Sequence, residues 1–180
     1  MSSITLITRD TSTYDLLSNE LPNVHKGIDC GFFLPWAFNP INLEIDDFVI
    51  STFDNSDEPE FLSGLNTIRT HHDMWGPLSK RYTSSKRCMV SDIPQDYLNL
   101  YANAKTTYSD RVHACVAALS FGNRAQLYGK TPRSELFTEV GAQEISVKTV
   151  KLDLDQLEVL RLNQQKVLQT SIKSIQVNNS

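Results

Sequence analysis

The sequence has no run approaching the roughly 18 apolar residues that a membrane-spanning helix needs. Its start, MSSITLITRDTS, has no charged region followed by an apolar core, so no secretory leader is expected. It also lacks an excess of positive charge. Lys and Arg number 17 against 21 Asp and Glu, a formal net charge of −4, which argues against a basic nucleic-acid binder but leaves room for a local cationic site. Cysteine is scarce, and Cys30, Cys88 and Cys115 form an odd, widely spaced set without a CxxC pair. That pattern fits free thiols in a reducing cytoplasm. No repeat period and no low-complexity tract is present. The absence of a Walker loop, GxGxxG, GxSxG or HExxH removes the usual support for nucleotide hydrolysis, dinucleotide binding and zincin chemistry.

What is present suits one ordinary globular domain. Of 180 residues, 40% are hydrophobic and 21% charged. A chain of that size buries roughly 70% of its unfolded surface and needs no disulfide or metal staple. The β-branched run at residues 4–8 reads as a strand, followed by a helix at 13–21 with Ser12 as its cap and Pro22 beyond it. Residues 24–28 read as a short strand. Residues 30–40 hold Phe32, Phe33, Pro35, Trp36, Phe38 and Pro40. Such proline density predicts an ordered packed loop, and a boundary between structural halves at about residue 40.

From residue 45 short strands alternate with helices. Strands are expected at 47–52, 87–90, 105–108, 125–128 and 145–147. Helices are expected at 60–72, 94–103, 110–121 and 134–140. Gly122 and Gly141 would close the last two. A long amphipathic helix is expected at 155–175, with Leu157, Leu160, Val167, Leu168, Ile172 and Ile175 mostly on one side. This alternation predicts an α/β fold with a parallel sheet flanked by helices. In such sheets ligands bind beyond the carboxyl ends of the strands, so the strand-to-helix junctions are the places to seek chemistry.

The most informative junction is Thr106-Thr107-Tyr108-Ser109-Asp110-Arg111-Val112-His113. The helix beyond it is apolar nearly all round and is expected to lie between layers. Ser109 or Asp110 can cap it. Arg111 and His113 then stand in its first turn, where the helix dipole favours an anion. A cation costs a few tenths of a kcal/mol to about 1 kcal/mol there. A bound phosphate or carboxylate removes that mismatch. The alternative is structural: Arg111 pairs with Asp110 or another carboxylate, and His113 is a satisfied core histidine.

These residues carry a resemblance. TYSDRVHACVAALSFGNRAQLYG is similar to the DRxH strand-helix segment of polysaccharide pyruvyl transferases, TPRSELFTEVGA resembles the family's following segment, and ITRDTSTYDLL resembles its early RD strand-helix. Asp29 and Phe32-Phe33 resemble the aspartate-aromatic segment after that. The resemblance implies a Rossmann-like sheet of the kind found in the second half of a GT-B-like enzyme. It implies transfer of a pyruvate ketal from phosphoenolpyruvate to a sugar, with no further cofactor. His113 matches the family's histidine, the expected general acid. Arg111 and Arg9 match its arginines, and Lys130 or Arg133 matches a further basic position. Where the family shows Gly-Lys-Pro, this chain has Gly122-Asn123-Arg124.

The resemblance divides the chain at residue 40. Residues 1–40 resemble the end of the family's first half, and 41–180 form the α/β domain. It implies phosphoenolpyruvate and a sugar acceptor as partners, with a second copy or a partner protein contacting residues 1–40, in the cytoplasm. A non-catalytic sugar- or anion-binding fragment of the same fold is the alternative. Among other candidates, His71-His72-Asp73 is not expected to hold a metal, because neighbouring residues on a helix diverge. Asp54, Asp57 and Glu58 read as a solvated turn. Lys80, Arg81, Lys86 and Arg87 read as a solvated basic loop.

Overall fold

The computed structural model describes residues 4–72, 87–129 and 131–177. Its main sheet is wholly parallel and has five strands: β3 (Val49–Thr52), β4 (Thr67–Thr70), β5 (Cys88–Met89), β6 (Thr106–Ser109) and β7 (Arg124–Leu127), in the order β5-β4-β3-β6-β7. The first of these strands is central and the order reverses between β3 and β6. With helices covering the sheet, this is a Rossmann-like α/β fold.

A smaller parallel pair, β1 (Leu6–Thr8) and β2 (Val24–Lys26), is linked by α1 (Thr11–Leu17). Asp10 rather than Ser12 caps α1, accepting from the Thr13 amide at 2.7 Å. Ser12 instead donates to Glu135 through its amide and hydroxyl, at 3.0 and 2.8 Å. Residues 30–40 are not a loop throughout. They form a 3-10 turn, Cys30–Phe33, and the one-turn α2 (Leu34–Ala37). Pro35 stands in the first turn of α2, where its missing N–H costs nothing.

The helix at the key junction, α4 (Val112–Ser120), follows α3 (Pro94–Asn103) and β6. Val112 and every residue from Ala114 to Ser120 are buried. The sheet covers one side of it and the Cys30–Phe33 turn another, with Phe32 completely buried. A Cβ on Gly31 would stand 2.7 Å from Val116 Cγ1, so this close approach requires glycine. Gly122 ends α4 at φ +82°, a left-handed position.

Several elements differ from expectation. Residues 60–72 hold a 3-10 turn, Glu60–Gly64, and then β4. Gly64 and Asn66 interrupt the helix, and Thr67, Ile68 and Thr70 are β-branched, which suits a buried strand. Residues 145–147 form turns. The edge of β7 is instead covered by one bond from the Leu127 amide to the Ile145 carbonyl and by a reciprocal pair between Ala125 and Val150. The 134–140 segment is a 3-10 run, Pro132–Val140. The long helix is α5 (Leu154–Val177), but Leu168 and Ile172 are exposed. Its inward stripe is Leu157, Leu160, Arg161 and Gln164. Arg161, with only 5% of its surface exposed, donates to the Phe32 carbonyl at 2.7 Å and the Ser120 carbonyl at 3.2 Å. A polar side chain thus fixes α5 where apolar periodicity suggested a longer seam.

Candidate active site

β3 and β6 lie side by side, with Thr52 opposite Ser109. Beyond their ends two loops brace each other. The Ser109 hydroxyl donates to the Thr52 carbonyl at 3.0 Å and accepts from the Arg111 amide at 2.9 Å. Asp110 does not cap α4. Its carboxylate accepts from the amides of Asp54, Asn55 and Ser56 at 3.1, 2.7 and 2.9 Å. This explains why the helix begins only at Val112.

The loop so held returns the favour. The side chain of Asp54 is 5% exposed, and its carboxylate pairs with the guanidinium of Arg111 and lies 3.4 Å from His71 Nε2. Asp54 is therefore not part of a solvated turn. Glu58 is not either: it is buried against Arg69 at 2.7 Å and accepts from Ser51. The sequence offered one available signal for Asp54. It stands just past a strand end, the same position that pointed to Arg111, but on the neighbouring strand.

Arg111 occupies the N-cap position of α4 with no side-chain cap on the helix. It thus has a carboxylate partner, as the structural alternative expected, yet its side chain remains 41% exposed. His113 is not a core histidine, since its side chain is 59% exposed. Arg111, His113 and Arg133 line one cavity of about 250 Å³, together with Asn55, Asp110 and Thr131. The carboxylate of Asp110 is held by backbone donors, and the two arginines bring positive charge to the cavity lining. A mainly apolar cavity of about 280 Å³ lies on the other side of the same pair and contains His72, Tyr97 and Tyr101.

Asp29 joins this site from the start of the Cys30–Phe33 turn. Its side chain is 3% exposed, accepts from Arg9 at 2.9 Å and the Gly31 amide at 2.9 Å, and lies 3.9 Å from His113 Nε2. The neighbouring His113 imidazole holds the Asp29 carboxyl well below the usual carboxylate range. The Gly31 amide and Arg9 act in the same direction, against the opposing effect of burial. Arg9 therefore reaches the site through Asp29 rather than by lining the cavity.

His71 and His72 do diverge, but both belong to this region: His71 faces Asp54, and His72 Nε2 is 2.6 Å from the Tyr101 hydroxyl. The His72 ring stacks on Tyr97 with centroids 4.2 Å apart. Burial, then the charge of Arg111, pulls the pKa of His72 down to about 4, so its imidazole is neutral at pH 7. Burial likewise pushes the Tyr101 hydroxyl upward. Lys130, Asp73, and the Lys80, Arg81 and Lys86 part of the basic stretch lie outside the described residues. The sequence marks Asp54 only as a turn residue and His71-His72 only as a metal candidate, and it does not mark Tyr101, because their partners come from distant elements.

A family model for polysaccharide pyruvyl transferases matches residues 3–123, a span that runs from before β1 to just past α4. The chain belongs to the polysaccharide pyruvyl transferase family. No curated protein and no solved structure is similar enough to be matched to it. Family membership implies a pyruvyl transferase-like function, with a sugar as the accepting group. The matched span contains Arg9, Asp29, Asp54, Arg111 and His113, whereas Arg133 lies beyond it. Among the described residues, no helix is long and apolar enough to cross a membrane.

Proposed function

We propose that this chain transfers a pyruvate ketal from phosphoenolpyruvate to a sugar of a surface polysaccharide precursor in the cytoplasm. The observation that carries this reading is the shared cavity of Arg111, His113 and Arg133 at the point where strand order reverses. Phosphoenolpyruvate is small and highly charged, so two guanidinium groups beside a helix start suit its phosphate and carboxylate. His113 serves as the general acid. It protonates the methylene carbon, C2 becomes electrophilic, and a sugar hydroxyl attacks there. The C2–O bond to phosphate breaks, and a second hydroxyl closes the ketal. One hydroxyl proton restores His113 and the other leaves with the phosphate.

The test is phosphate release from phosphoenolpyruvate in the presence of candidate acceptor sugars. His113→Ala should abolish transfer while changing anion affinity much less. Undiminished transfer by that variant would remove His113 from the reaction. The pairing of Arg111 with Asp54 favours the second reading, a domain that holds anions or sugars without turnover. Binding without phosphate release under every acceptor would select it. A second copy or partner protein over residues 1–40 belongs to the first reading, as Ile4, Leu16, Leu21 and Trp36 are all exposed there.

A further inference from the structure

We propose that Asp29 is the positioning residue of His113, and that Arg9 sets the strength of its hold. This rests on the reading of His113 as the proton donor. Three observations carry it. The Asp29 carboxylate is buried to 3% exposure, yet one oxygen lies 3.9 Å from His113 Nε2. The same oxygen, Oδ2, accepts from Arg9 at 2.9 Å, while Oδ1 is spent on the Gly31 amide. Asp29 also caps the Cys30–Phe33 turn that packs against α4. The carboxylate is therefore fixed relative to the helix that bears His113, and it cannot swing away into water.

The consequences follow from charge and geometry. A fixed anion beside an imidazole favours the imidazolium and aims its Nε2 edge. Arg9 competes for the same oxygen and is itself positive, so it opposes that protonation. Other charges face the same space. Arg111 is the N-cap of the helix that carries His113, Asp110 and Arg133 line the same cavity, and neutral His72 lines the apolar one. None of these has an oxygen within 4 Å of the His113 ring, so Asp29 is its nearest counter-charge among the described residues. The hold comes from Arg9 and the turn after β2, which ties the placement of β1 to that of the residue at the start of α4.

The experiment is a histidine-labelled NMR titration of the full chain, with His113 assigned by its loss in His113→Gln. Asp29→Asn keeps an oxygen for the Gly31 amide and removes the charge. In that variant the acid dissociation constant of His113 should rise about threefold, a size set by solvent screening of an exposed ring. In Arg9→Gln it should fall, a shift of opposite sign that a merely structural role would not produce. If Asp29→Asn does not fold, the Arg9 variant still decides the matter. An unchanged His113 titration in a folded variant would overturn the proposal. The predicted shifts in a chain that releases no phosphate would uphold the role of Asp29 and remove the pyruvyl transfer reading instead.

Discussion

Asp54 and Asp110 do opposite jobs with the same chemical group. Asp110 is satisfied by backbone donors and fixes a loop, whereas Asp54 is buried against Arg111 and His71 and fixes a cation. Losing the charge at Asp54 removes a charge-assisted hydrogen bond and leaves Arg111 less constrained. Asp54→Asn should therefore cost about 1.5–3 kcal/mol in urea unfolding and weaken phosphate binding as well. Stability within a few tenths of wild type would show that Arg111 is placed by something else. At this scale the sequence was legible where chemistry and local position coincide. Arg111 and His113 follow a strand directly, so the junction alone marked them. Asp54 and His72 meet their partners only when several strand ends and α3 converge; a place just past a strand end marks Asp54 but not its partners, and Asp29 stands out only through the family resemblance.

Among the elements, α4 is the one on which the site depends, because it carries His113 and is wedged between the sheet and the Cys30–Phe33 turn. Gly31→Ala would set a methyl 2.7 Å from Val116 Cγ1 and force the turn outward. The expected cost is about 1–3 kcal/mol by thermal or denaturant unfolding, the scale of overpacking a close contact. A neutral result would mean that the turn is loosely docked. The apolar run at 112–120, closed by Gly122, made this helix readable, and α3 was readable from Pro94 onward. β4 was not, since its four residues follow polar turns and show no alternation. The inward face of α5 departs from its apolar periodicity for a different reason: Arg161 is buried there by two carbonyl acceptors, which composition cannot reveal.

For the whole molecule, pH provides a global readout of the buried site. An unfolded chain takes up a proton at His72 near its ordinary value of 6.5, but the folded chain does so only near 4. Between those values the unfolded state binds more protons, so stability falls as pH falls through that window. Asp29 adds a further loss below its ordinary value of 3.8, because its folded pKa is depressed. His72→Gln should flatten the slope between about pH 6.5 and 4 in denaturant titrations. An unaltered slope would place the acid sensitivity elsewhere. The parallel sheet, with its site beyond the carboxyl ends of the strands, was implied by the strand-helix alternation. The strand order itself was not, because β4 was unseen.

The most direct measurement is calorimetric titration of the full chain and of Arg111→Ala with phosphoenolpyruvate. Phosphoenolpyruvate should bind the wild-type chain, and the variant should lose about 1.5–3 kcal/mol, the value of a charge-assisted hydrogen bond. That is roughly a ten- to hundredfold weaker affinity. Equal affinity in the two proteins, or no binding to the wild type, would contradict the assignment of this cavity as the donor site.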